Sequence, residues 1–247
     1  MTATTTKSNA DLDSTAHIMN LITDQLAAQL SRVSRDGTRR PAPPALVLVA
    51  HGSRDPRALA TVRTLMDRVR EQRPGLSVRL GHIELNEPLL PDTLAALGDR
   101  EAVLVPLLLS RGYHVKRDIP ETAAASGART RLAAAGSRDP EAAEDTGRTA
   151  RLLADRLGVP VVPAYASAAA PTVAEAVRAL TAAGRTRVAV ASYFTAPGRF
   201  ATECAKAAPW VASAPLGAHP SMATLILHRY DEARTTRTSP LPALATA

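Results

Sequence analysis

The chain has 247 residues and a mass of 26.0 kDa, enough for one large α/β domain or two small ones. Hydrophobic residues reach 45% but aromatics only 3%, so the core has to be built from Ala, Val and Leu; a disulfide scaffold, a collagen-like fibre and a fully disordered chain are excluded. The 30 basic residues exceed the 23 acidic ones mainly after residue 128, which favours anionic partners in general without singling out nucleic acid.

Residues 1–13 read as a tail without regular structure, and the absence of an apolar run behind Lys7 argues against a secretory signal. Ile18, Leu21, Ile22, Leu26, Leu30 and Val33 recur at helical spacing and predict an amphipathic helix ending at Asp36-Gly37, with a Pro-rich linker to residue 44. The run Leu46–Ala50 predicts a first strand, broken by His51-Gly52-Ser53. A helix follows from Pro56 to about Gln72, then a strand at Ser77–Ile83, a helix near Pro88–Leu97, a strand at Ala102–Leu108 and a short helix opened by Asp118-Ile119-Pro120. Short apolar strands alternating with helical periods describe a parallel sheet covered by helices.

The scheme then runs again. Gly52-Ser53-Arg54-Asp55-Pro56 recurs letter for letter as Gly136-Ser137-Arg138-Asp139-Pro140, and Pro88…Leu97 matches Pro171…Leu180. Strands are expected near Arg131–Ala135, Val159–Tyr165 and Thr186–Ser192, then Trp210–Ser213, a helix over Met222–Tyr230 and a tail from residue 236. The expected fold is two related three-layer α/β/α halves with parallel sheets, residues 45–128 and 129–235, with an active cleft between them. The first half is shorter by a final strand and helix. No stretch approaches the roughly 18 apolar residues of a membrane span, so a cytoplasmic protein, monomer or homodimer, is expected. Cys204, the single cysteine, excludes an intrachain disulfide and reads as a small buried helix residue.

Three polar residues take equivalent places in the first half: His51 ends the first strand, Glu84 the second, and His114 lies in the loop after the third. Parallel strands end on one edge, where open α/β sheets bind ligands, so one rim gathers two imidazoles and a carboxylate. That set suits Zn, Co, Ni or Fe better than Mg. Gly52 and Gly112 beside the histidines allow tight turns and a close ligand. In the second half Ala135, Ser167 and Phe200 stand at these positions, as a one-sided active site requires. Arg54, Arg111, Lys116 and Arg117 flank the histidines and are candidates for binding carboxylates; Ser53 is read as opening the next helix, whose N-terminal amides favour anions. His219 precedes a helix that can close over the cleft, whereas His82 reads as structural or as a neighbour of the site. There is no GxGxxG, P-loop or GxSxG context, and the arginines lack the interleaved aromatics of a nucleic-acid platform.

The segments Val49–Pro56, Ile83-Glu84-Leu85 and Val105–Pro120 resemble the sirohydrochlorin chelatase family, the CbiX/SirB-like class II chelatases. Residues 191–198 and 215–220 resemble its two-domain bacterial members. The resemblance implies ATP-independent insertion of Fe²⁺ or Co²⁺ into sirohydrochlorin, for sirohaem or cobalamin, without an organic cofactor. It also implies that His51, His114 and Glu84 are catalytic, with His51 and His114 as metal ligands. The partners expected are an anionic tetrapyrrole and a divalent metal, with no nucleic acid and no membrane. A non-catalytic metal or tetrapyrrole carrier using the same residues is the competing reading.

Overall fold

The run ALVLVA of β1 (Ala45–Ala50) is buried along its whole length, as befits a strand with neighbours on both sides and layers on both faces. The computed structural model describes residues 42–108, 118–126, 130–132, 140–167 and 169–235. Strand β1 pairs in parallel with β2 (Val78–His82) on one side and β3 (Ala102–Pro106) on the other, and β4 (Thr130–Leu132) extends the sheet in the order β2-β1-β3-β4.

Alternation along the strands sorts the side chains into two layers. Leu46, Leu48, Val103 and Val105 pack against Val62, Leu65 and Val69 of helix α1 (Pro56–Gln72). Val47, Val49 and Leu104 pack on the other face against Leu90 and Leu94 of α2 (Leu90–Ala95) and Ile119 of α3 (Ile119–Ala125). Asp55 caps α1, its carboxylate accepting from the N–H of Arg57 at 2.9 Å, and Pro56 occupies a first-turn position where its missing N–H costs nothing. Ser53 is therefore not the helix cap that the sequence reading makes it; its Oγ accepts from the N–H of Asp55 at 3.1 Å, one step upstream.

The shortened first half is completed from further along the chain. Strand β4, which the sequence reading assigns to the second half, is hydrogen-bonded to β3, so a division at residue 128 falls inside this sheet. The C-terminal helix α7 (Pro220–Thr235) lies in the same layer as α1, burying Ala223, Ile226, Leu227 and Tyr230 against the sheet. Its seat is polar as well as apolar. The Tyr230 hydroxyl donates to the carbonyl of Pro44 at 2.7 Å, and Arg73 grips Asp231 through two bonds of 2.7 and 2.8 Å. The guanidinium holds the Asp231 carboxyl below its ordinary range, while burial pushes the Tyr230 phenol up. Arg131 of β4 reaches Glu101 at 2.8 Å and the carbonyl of Arg234 at 3.1 Å, tying the edge strand to the end of α7.

The remainder of the second half is slighter. It contains α4 (Pro140–Leu157), α5 (Val173–Ala182), α6 (Arg199–Lys206) and a two-stranded parallel sheet of β5 (Ala189–Val190) and β6 (Val211–Ala212). Val159–Tyr165 forms no strand, against expectation; Pro160 and Pro163 remove ladder donors from that stretch. The repetition nevertheless persists in detail. His82 N–H bonds to the carbonyl of Pro88 at 3.0 Å, and Tyr165 N–H bonds to that of Pro171 at 2.9 Å, the same turn 83 residues later. Cys204 is buried on α6, as read from the sequence, and burial pushes its thiol up. No helix among the described residues is long and apolar enough to cross a membrane. The N-terminal helix, the linker as far as Pro41, the repeat Gly136–Asp139, Ala135 and the tail from residue 236 lie outside the described residues.

Candidate functional site

The ladder between β1 and β2 continues past the two strands. Ile83 N–H donates to the carbonyl of Ala50 at 2.9 Å, and Glu84 N–H to that of His51 at 3.0 Å, so the two residues leave the sheet as neighbours. Their side chains meet at the rim, His51 Nδ1 lying 3.5 Å from Glu84 Oε1. That is an electrostatic contact longer than a good hydrogen bond. Both groups face solvent, with 38% and 51% of their side-chain surface exposed.

Gly52 makes the approach of the two loops feasible. Its φ is +102°, and a Cβ there would overlap the carbonyl oxygen of Glu84 and stand 2.8 Å from its carbon. Beyond the crossing, Ser53 N–H donates to Asn86 Oδ1 at 2.7 Å, and Asn86 N–H returns to the carbonyl of Glu84 at 2.8 Å. Leu85, at the apex between them, has a φ of +66° and is exposed. Asn86 is a contributor that the sequence reading missed. Its only local signal is a turn-forming residue two places past a strand end.

The second half meets this rim. Buried Thr195 donates its hydroxyl to the carbonyl of Leu107, just past β3, at 2.8 Å. The backbone of Gly198, at the head of α6, approaches Ser53 closely enough that a Cβ would sit 3.9 Å from Ser53 Oγ. Leu216 and Gly217 N–H groups bond to the carbonyls of Phe194 and Thr195 at 2.8 and 2.9 Å, which carries the segment before α7 to the same neighbourhood. His219 ends that segment; it is exposed, and its Nδ1 accepts from Ser221 N–H at 3.2 Å, so it serves α7 as a cap.

Of the residues singled out from sequence, His51 and Glu84 are brought into contact, and Ser53 and exposed Arg54 share the His51 loop. His114, Arg111, Lys116 and Arg117 lie outside the described residues. His82 is buried, its Nδ1 against the carbonyl of Pro88 at 3.2 Å, and burial depresses its basicity, with the charge of Arg63 adding to the effect. It is structural. Among the described residues no group of three or more His, Cys, Asp or Glu side chains is placed to hold a metal ion. A cavity of about 420 Å³ is lined by Glu84 together with Asp118, Glu121 and Thr122 over Ile83, Leu90 and Ile119. An imidazole beside a carboxylate is a pair able to ligate a metal or exchange a proton.

The family model described as CbiX matches residues 45–133 and again 129–233, so the overlap between the two matches contains β4. Among curated proteins, the sirohydrochlorin cobaltochelatase of Methanococcus aeolicus is 39% identical over 80 residues, which is 31% of this chain and 56% of that protein. That of Methanopyrus kandleri is also 39% identical over 80 residues, again 56% of its length. The chain thus spans little more than half the length of these relatives. Among solved structures, the sirohydrochlorin chelatase SirB from Bacillus subtilis subspecies spizizenii in complex with cobalt superposes with a TM-score of 0.59 at 19% identity, covering 78% of this chain and 97% of that one. SirB from Bacillus subtilis with Fe³⁺ gives 0.60 at 21%, covering 78% and 96%. At such identities the likeness is one of fold.

Proposed function

The chain belongs to the CbiX family, and we propose that it is an ATP-independent chelatase of the cytoplasm that inserts Co²⁺ or Fe²⁺ into sirohydrochlorin. The observation that carries this reading is the His51–Glu84 pair, 3.5 Å apart and solvent-facing on the carboxyl edge of a parallel sheet. The names of the two relatives, both sirohydrochlorin cobaltochelatases, and of the cobalt-bound SirB, a sirohydrochlorin chelatase, agree with it.

The chemistry follows from the residues. Sirohydrochlorin presents carboxylates around a flat apolar ring, and insertion exchanges two pyrrole N–H protons for one divalent cation. A neutral imidazole ligates a borderline cation through a ring nitrogen, and once the metal has passed to the ring the same nitrogen takes up a proton. In this scheme His51 performs that exchange with Glu84 orienting it and offsetting the positive charge, and His114 is the second metal ligand and proton acceptor. Arg54, Arg111, Lys116 and Arg117 meet the carboxylates of the macrocycle. Ser53 joins them as a donor, because its oxygen already accepts from Asp55 and its hydroxyl proton is left to give. His219, with Nδ1 engaged by Ser221, offers the ligand Nε2.

The test is the absorption change of metallation when the purified chain is mixed anaerobically with sirohydrochlorin and either metal. A rate above the spontaneous one is expected. Binding of tetrapyrrole without acceleration would make the protein a carrier, and no effect on either would sink the reading.

A further inference from the structure

We propose that Asn86 is a positioning residue of this site, acting through the His51 loop rather than by touching the reactants; the proposal rests on the chelatase reading above. Two backbone bonds and one side chain close a ring around Gly52. On one side Glu84 N–H bonds to the carbonyl of His51 at 3.0 Å. On the other, Ser53 N–H bonds to Asn86 Oδ1 at 2.7 Å, while Asn86 N–H holds the carbonyl of Glu84 at 2.8 Å. The bond from Ser53 spans 33 residues and is the shortest of the three.

The consequence is geometric. The bond at His51 fixes only the start of the loop, where the sheet ladder runs out. Past Gly52, with its φ of +102°, the chain leaves the ladder, and the seating of the His51 loop against the Glu84 turn depends on what holds its far side. Asn86 supplies the acceptor that holds it, from the turn that carries Glu84 itself. The two loops therefore move as one body, and the 3.5 Å separation of Nδ1 and Oε1 is kept while macrocycle and metal come and go. Leu85 at a φ of +66° is consistent with this account: a non-glycine residue stays in the left-handed region where its neighbours hold it there.

The experiment compares the wild type with Asn86→Ala, Asn86→Gln and Asn86→Asp. It uses cobalt insertion as a function of sirohydrochlorin concentration, together with amide hydrogen exchange at Ser53. Alanine lacks the acceptor, glutamine carries it one methylene too far, and aspartate keeps it in place. The expected result is a fall in kcat of about tenfold or more for N86A and N86Q with KM for the macrocycle within about twofold. Ser53 exchange should quicken by about tenfold in the same two variants, and both quantities should return most of the way in N86D. Unchanged kcat in N86A and N86Q, a loss seen in KM instead, or an N86D no better than N86A would overturn the proposal. A wild type that inserts no metal overturns the functional reading and the positioning role of Asn86 in insertion with it. In that case the Ser53 exchange rates still decide whether the brace exists.

Discussion

Replacing Gly52 by alanine tests the crossing of the two loops. The new Cβ would overlap the carbonyl oxygen of Glu84, so one loop must retreat by about 1 Å before the contact becomes tolerable. Holding an alanine at a φ of +102° costs about 1–3 kcal/mol. Retreat also stretches the bonds from Glu84 N–H to His51 and from Ser53 N–H to Asn86, each worth about 0.5–1.5 kcal/mol net. Together these give a destabilisation of about 2–6 kcal/mol, with a fall in Tm of roughly 2–4 °C per kcal/mol for a domain of this size. The same displacement separates His51 from Glu84, and a misplacement of that order costs about 100-fold in rate. Gly75 is the internal control. Its φ is +81°, but a Cβ there meets nothing within 4 Å, so Gly75→Ala carries the backbone strain alone. It should lower stability by about 1–2 kcal/mol and leave insertion unchanged. The measurements are thermal unfolding and the metallation rate of both variants. If G52A melts with G75A and inserts metal at the wild-type rate, the loops do not need their close approach, and the reasoning fails.

Other consequences are open to the same assays. His51→Ala and His114→Ala should each abolish insertion without lowering Tm appreciably, and Glu84→Gln should reduce it about 10- to 100-fold; activity surviving H51A would remove the imidazole from the mechanism. The Asp231 carboxyl sits below its ordinary value of 3.8 in the folded protein, so its bond to Arg73 stabilises the fold above that value and fades as pH falls through the lowered one. Both side chains are more than a third exposed, which limits the gain to about 0.5–1 kcal/mol. Asp231→Asn should therefore lose that amount in chemical denaturation at neutral pH, with the gap to wild type closing in acid; a gap that persists there would exclude the ionic origin. The Cys204 thiol, buried and raised above its ordinary value, should resist alkylation in the native state and react on unfolding, as mass spectrometry can follow.

The elements around the site were legible because their signals are local. The run Leu46–Ala50 reads as a strand buried on both faces, and Pro56 followed by Val62, Leu65 and Val69 at helical spacing reads as a helix; both lie where periodicity puts them. His51 and Glu84 could be named as rim residues because parallel strands must end on one edge, and the contact between them follows from adjacent strands in register. What periodicity carries is the face a side chain takes, not the partner a strand takes. Thr130–Leu132 has the pattern of a strand that either half can use, and only the hydrogen bonds to β3 decide that it closes the first sheet. The same holds for α7, whose apolar stripe shows that it packs but not that it crosses to cover β1 and β3 beside α1. Asn86 and Thr195 belong to this class too, since each acts through one bond to a residue distant in the chain. Composition and spacing thus determined the strands, the helices and the placing of His51 and Glu84 on one rim. Pairing across the sheet, the seating of the last helix and the bracing of the rim were decided in three dimensions, where a backbone group takes whichever partner the packed layers bring within reach.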